Sequence, residues 1–330
     1  MPTDDTSVAT TAGRGMTTAF GAMRRGLRRG PKPEKESGRP LTWRMQLLLQ
    51  IICVGITITV LFPILWIFSL ALDPRNISRP DSLIPPGASL DAFRRVIAQP
   101  TASDPISFFE LARNSFVLAS SVALFSVLIG VLAAYAFSRL NFRLRELLMI
   151  SVLGVLMLPA VATIAPLFIM LNSITVDLPI LGEFNLRQSL IGVALAVVSG
   201  ALPFAIWNLK GYLDTIPKEL EEAAAVDGAT RNQSFFRVIL PLATPALAVT
   251  GFLGFVSGWT EFYFVSIFLN DPSQGFTLSL ALNKMVGAFG QTPWSDFAAF
   301  SILFAAPVSV VFFFFQKYIV GGLAIGGVKG

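Results

Sequence analysis

The sequence predicts an all-α polytopic membrane protein with six transmembrane helices. Its composition is the first sign: 14% of the 330 residues are charged and 54% are apolar, against about a quarter charged in an ordinary soluble domain. The spacing of the charges is the second. Residues 45–72, 114–138, 147–176, 188–209 and 297–316 hold no Asp, Glu, Lys or Arg, and 238–270 hold only Glu261. Each stretch meets the requirement of about 20 mainly apolar residues for a helix that crosses the hydrocarbon core. The third sign is that basic residues gather on alternate connections, as they do on the cytoplasmic side of a membrane.

Residues 1–40 read as a disordered basic arm, rich in Thr, Ser, Gly and Pro. They lack the short apolar region and small-residue cleavage site of a signal peptide. Arg24, Arg25, Arg28, Arg29, Lys32, Lys35, Arg39 and Arg44 precede the first span, 45–72, which places the N-terminus in the cytoplasm. The next connection, 73–110, is then external. It carries four arginines against five acids, with a turn at Pro85, Pro86 and Gly87 and room for a short helix after Ser89. Residues 111–317 form a five-helix core. Its cytoplasmic connections carry Arg139, Arg143 and Arg145, then Lys210, Lys218, Arg231 and Arg237; its external ones carry only Arg187 and Lys284 as bases. Six crossings return the C-terminus to the cytoplasm, where residues 318–330 form a glycine-rich tail that its composition reads as frayed. Cell-membrane topology thus accounts for the net charge of +5, and nucleic acid is not implied.

Several chemistries are excluded at once. The single cysteine, Cys53, lies inside the first span, and there is no histidine. Intrachain disulfides, metal-ligand clusters and imidazole relays are therefore absent from the repertoire. Prolines 63, 159, 166, 203 and 307 interrupt the spans. They either mark packing irregularity or create broken helices lining a moving pathway. Gly254 and Gly258 form a small-xxx-small step suited to close helix contact. Glu261 is the lone intramembrane acid, so it should face protein or water; a substrate, a second subunit and the outer interface are all open to it.

The most polar long stretch of the second half, EEAAAVDGATRNQSFFRVILP, lies on the predicted cytoplasmic side between spans four and five. Thr215 can cap a helix that holds Pro217 in its first turn and runs from Lys218 to about Val226. Asp227 and Gly228 stop that helix, and a second begins near Thr230 and leads to Pro241. Ala223, Ala224 and Ala225 leave a slim surface, and Phe235 and Phe236 offer apolar knobs. A protein contact and an ordinary solvated loop helix both fit this composition.

Glu222, Ala223, Ala224, then Gly228, then Val238, Leu240 and Pro241 resemble the EAA loop of the membrane subunits of ABC importers, with Val238 where Ile is usual. Asp227 and Ala229 fit the same form. From Ser115 onward the chain is similar to the smaller permease of the maltose-type carbohydrate importers. Its GGLAIGGVKG ending and its GWTEF segment, with Thr260 in place of the usual Asn, are part of that likeness. The resemblance implies the type I ABC importer permease fold with a cytoplasmic coupling loop at 210–240. It implies that Ala223, Ala224 and Gly228 permit docking into a cleft of an ATPase subunit, that Glu222 makes a polar contact there, that Asp227 holds the turn, and that Leu240 and Pro241 complete the loop. The implied partners are a second, related permease, an ATPase dimer, an external sugar-binding protein and membrane lipid. The implied cargo is maltose or a related sugar such as trehalose. The chain has no G-x-x-x-x-G-K-[ST] loop, so it is expected to be no enzyme and to bind no cofactor, with ATP used by the partner subunits. The rival expectations are a permease of the same superfamily with a non-sugar cargo, and a secondary carrier or channel needing no docking helix.

Overall fold

A computed structural model describes residues 42–101, 105–178, 182–286 and 292–326. The expected disordered arm, 1–40, and the last four residues of the tail lie outside these. The chain divides into two units, 1–60 and 61–330. The described part of the first unit belongs to helix α1 (Trp43–Leu72). Its side chains from Trp43 to Val60 are exposed and mostly apolar. Its few hydroxyls turn back on their own helix, Thr57 to the Cys53 carbonyl at 2.8 Å and Thr59 to that of Gly55 at 2.9 Å. That arrangement satisfies both hydroxyls within the helix.

The second unit is a helical bundle. After the end of α1 come α2 (Asp91–Ala98), α3 (Phe108–Arg139), α4 (Arg145–Val155), a 3₁₀ turn (Ala160–Thr163) and α5 (Ile164–Asn172). A hairpin of β1 (Thr175–Leu178) and β2 (Gly182–Asn185) follows, then α6 (Leu190–Leu213), α7 (Glu219–Val226) and α8 (Arg231–Ser234). A π-helical turn (Phe235–Ile239) leads through α9 (Leu240–Leu242) to α10 (Thr244–Trp259), α11 (Tyr263–Phe268), a 3₁₀ turn (Pro272–Gln274), α12 (Leu278–Lys284) and α13 (Trp294–Gly326). The expected short helix after Ser89 is α2. The tail expected to fray continues α13 as far as Gly326.

Among the described residues, α1, α3, α6 and α13 are long and apolar enough to cross a membrane; a fifth crossing counts only if the pair bent by 73° at Ala243 is taken as one span. The chain is therefore a multi-pass membrane protein with four such helices, or five, where the sequence predicts six. The difference lies in the third stretch, 147–176. Pro159 cannot continue a helix, and α4 has already ended at Val155. Pro166 falls in the first turn of α5, where its missing N–H costs nothing. Two short helices replace one long one. The hairpin is a second departure from the all-α expectation; β1 pairs antiparallel with β2, Thr175 opposite Asn185.

The core lies where α3 packs on α6 and α10, and α10 on α13. Leu111, Leu118 and Val122 of α3, Val193 of α6, Trp259 of α10 and Phe300 of α13 are each 0–1% exposed. Close approach depends on glycine: a Cβ on Gly258 would lie 2.8 Å from the Ala119 Cα, and one on Gly254 3.0 Å from that of Ala123. Ser107 and Ser189 cap α3 and α6 by accepting the Glu110 and Gly192 N–H groups. Arg187, read from sequence only as a loop base, is buried. Its guanidinium donates to the Phe268 carbonyl and the Asn172 side chain, each at 2.8 Å, and lies over the Phe168 ring. It ties the connection from β2 to α6 onto α5 and α11. Outside the spans, the Arg75 guanidinium bound to Asp73 holds that carboxyl below the usual carboxylate range. Ser295 donates its hydroxyl to the Asp73 carbonyl and its N–H to Asn76, joining the end of α1 to the start of α13.

Candidate functional site

The connection from α6 to α10 is built on a small second core. Val131 and Ala134 of α3, Leu209 and Leu213 of α6, Ile216, Phe235 and Ile239 pack together under it. Phe235, expected as an exposed knob, is buried, its ring 4.7 Å from that of Tyr135. Phe236 beside it is 62% exposed. Neighbouring residues point roughly 100° apart around a helix, so one ring turns into the second core and the other to the surface.

Helix α7 is held from its inner side. The Arg139 guanidinium at the end of α3 pairs with the Glu221 carboxylate at 2.5 Å, with side-chain exposures of 7% and 17%. The same arginine donates to the Ile216 carbonyl at 2.8 Å, and the Tyr135 hydroxyl donates to the other Glu221 oxygen at 3.0 Å. A second link sits beside it: Ser138 and Lys210 both donate to the Asp214 carboxylate at 2.6 Å. Burial pushes the Asp214 carboxyl up, but these two hydrogen bonds outweigh it and hold the group below its ordinary value. Thus an ion pair joins α3 to α7 and a hydrogen bond to Asp214 joins α3 to α6 at one end of the bundle.

The outer side of α7 is free. Lys218 occupies the cap position without a side-chain hydrogen bond, and Thr215, expected to cap, donates its hydroxyl back to the Tyr212 carbonyl instead. The helix ends in a Schellman turn. The Gly228 N–H donates to Ala225 and the Ala229 N–H to Ala224, with Gly228 at φ +85°. Backbone geometry therefore holds the turn; the Asp227 side chain, expected to do so, is exposed and has no hydrogen-bond partner among the described residues. Thr230 and Gln233 then form a capping box that starts α8.

The predicted site residues are thus divided. Glu222, Ala223, Asp227 and Gly228 are exposed on one turn, and Ala224 is half-buried beside them. Leu240 packs against the second core, and Pro241 is exposed at the start of α9. An open cleft of about 350 Å³ lies between α7, α8 and the end of α3, lined by Tyr135, Arg139, Lys218, Glu222 and Arg231 among others. Glu261 is far along the chain from this cluster. Its carboxylate accepts the Phe264 N–H at 2.8 Å, and its carbonyl accepts the Ser279 hydroxyl. It caps α11 after the break that follows Trp259. Glu221 and Tyr135 were not singled out by sequence and Arg139 only as a topology marker, and no spacing signal links residues more than 80 positions apart.

Residues 126–324 match the model of the family described as binding-protein-dependent transport system inner membrane component. The chain is 35% identical over 287 residues to the trehalose/maltose transport system permease protein MalG of Thermococcus litoralis, covering 86% of this chain and 97% of that protein. It is 32% identical over 279 residues to the diacetylchitobiose uptake system permease protein DasC of Streptomyces coelicolor, covering 84% and 95%. Its fold is similar to a chain of a bacterial ABC transporter involved in the import of the acidic polysaccharide alginate, with a TM-score of 0.68 at 20% identity, covering 86% of this chain and all of the other.

Proposed function

The chain belongs to the binding-protein-dependent transport system inner membrane component family, and on that premise we propose that it forms half of the translocation pathway of an ATP-driven importer for maltose or a related oligosaccharide. It is a transport permease and not an enzyme. The cargo class rests on the relatives, named for trehalose, maltose and diacetylchitobiose. The proposed partners are a second permease, two ATPase subunits and an external sugar-binding protein.

One observation supports the coupling role above the others: α7 is pinned on its inner side by Arg139–Glu221 and offers its outer side, from Glu222 to Gly228, to a partner. A short helix so mounted passes a push to α3 through the ion pair, and α3 is tied in turn to α6 through Ser138 and Asp214. The Glu222–Gly228 turn is the docking surface for the ATPase, and Leu240 and Pro241 set the lead-in to α10. Closure of the ATPases on ATP then moves the loop and opens the pathway outward; hydrolysis returns it. In this reading α4 with α5 completes a third crossing and the bent run from α8 to α11 a fifth, giving six, with both termini in the cytoplasm.

Two measurements test these claims. The complete complex with its binding protein is reconstituted, and ATP hydrolysis is followed across a panel of sugars and amino acids. Stimulation by a glucoside is the expected result, and stimulation by an amino acid with none by any sugar refutes the cargo. For topology, Val226 is 88% exposed and suits a labelling cysteine, whereas Ser234 is buried. With Cys53 replaced by Ser, Val226→Cys should resist an impermeant maleimide in intact cells and react once they are opened. Labelling in intact cells would place the loop on the wrong face.

A further inference from the structure

Between α8 and α10 the chain bends by 73° at Ala243, and proline makes the bend. Pro241 and Pro245 have no N–H, so the carbonyls four residues before them, on Arg237 and Pro241, each lose their usual helical donor. The π-helical turn accommodates the first loss, the Leu240 N–H reaching five residues back to Phe235. A side chain answers the second: the Thr244 hydroxyl donates to the Pro241 carbonyl at 2.7 Å. Elsewhere such a bond is redundant. The Thr260 hydroxyl, for example, meets a Val256 carbonyl that the Thr260 N–H already reaches at 3.0 Å. One residue beyond Pro241, the Leu242 carbonyl accepts the Tyr212 hydroxyl, from the last turn of α6, at 3.3 Å. The corner is also packed: Ile239 and Ala243 are 0% exposed within the second core, with Tyr212 and Leu247 against them.

We propose that Tyr212 and Thr244 are positioning residues that brace this corner, so that α8 and α10 swing as one angled piece when the coupling loop is pushed. The inference rests on the coupling reading above. Proline and π-helical turns are the usual origins of sharp bends, and each leaves a helix with fewer bonds to resist further bending. Two hydroxyls replace that resistance here. The Thr244 bond closes the corner on itself, and the Tyr212 bond fastens it to α6. Two residues further on, Asp214 fastens the same end of α6 to α3 through Ser138 at 2.6 Å. Without the brace the corner opens under load, the displacement is absorbed there, and ATP is hydrolysed without a matching movement of cargo.

The test uses the assembled complex in proteoliposomes with its binding protein, loaded with whichever solute of the panel above stimulates hydrolysis, and measures solute taken up per ATP hydrolysed. Tyr212→Phe and Thr244→Val each remove one hydroxyl and keep the side chain's bulk. Each is expected to lower the ratio about threefold, the low end for a lost hydrogen bond, and the double variant about tenfold. Thr244→Ser keeps the hydroxyl and should keep the native ratio, which loss of packing alone does not explain. The corner itself is read by spin labels at Phe236→Cys and Leu253→Cys, exposed positions on its two arms, with Cys53 replaced by Ser. Their separation should be the same with and without ATP in the otherwise unaltered complex, and should spread in the double variant. If the double variant fails to assemble, the single ones decide. A separation that changes with ATP makes the corner a hinge and overturns the inference. An unchanged ratio in both Tyr212→Phe and Thr244→Val overturns it alone. An ATPase that still binds after deletion of residues 222–228 overturns it together with the coupling reading.

Discussion

Gly228→Pro is expected to reduce sugar uptake by at least about tenfold while the permease still inserts and assembles. Gly228 sits at φ +85° and donates its N–H to Ala225. Proline holds φ near −65° and has no N–H, so the Schellman turn is lost at a local cost of about 3 kcal/mol or more. The free end of α7 then points away from its partner. Gly228→Ala separates backbone strain from crowding, because a Cβ there meets no atom within 4 Å. Its penalty is that of a left-handed conformation alone, about 1–2 kcal/mol, and uptake should fall to between the proline variant and the native protein. Uptake assays in proteoliposomes, with pull-down of the ATPase in parallel, check the order. Native uptake by Gly228→Pro would show that the turn carries no coupling.

Glu221→Ala should be the next most damaging change. It leaves the Arg139 guanidinium, 7% exposed, without its carboxylate. Removing one partner of a buried ion pair costs about 3–5 kcal/mol, and some of that is relieved here because Arg139 keeps the Ile216 carbonyl. The expected outcome is a loosened α7, seen as faster tryptic cleavage at Lys218 in the purified complex, and uptake reduced at least about tenfold. Arg139→Ala should do the same. The double variant should be no worse than either single one, since the interaction is shared, giving a coupling energy of about 1–3 kcal/mol in the cycle. Additive losses would mean that the two residues act separately.

Much of the architecture was legible. Charge-free runs mark α1, α3, α6 and α13 because hydrocarbon tolerates nothing else. The Asp227–Gly228 turn was legible because only glycine adopts its geometry cheaply. The third stretch was legible in composition but not in shape: Pro159 and Pro166 announce bends, and nothing in the sequence says that the α-helix stops at Val155 and resumes only at Ile164. The loop shows the sharper limit. Glu221 and Glu222 differ by one position, roughly 100° around a helix. Which one faces α3 depends on how α7 sits on the second core, and that packing is invisible until Tyr135 and Phe235 are brought together.

The glycine contacts between α3 and α10 also limit how this protein can move. With the Gly258 and Gly254 backbones seated directly on Ala119 and Ala123, there is no cushion of side chains to shear, and the two helices form a single stiff plank. A displacement applied at the Ala243 bend must then reach Trp259 almost undiminished, and flexing falls to the broken α4–α5 segment instead.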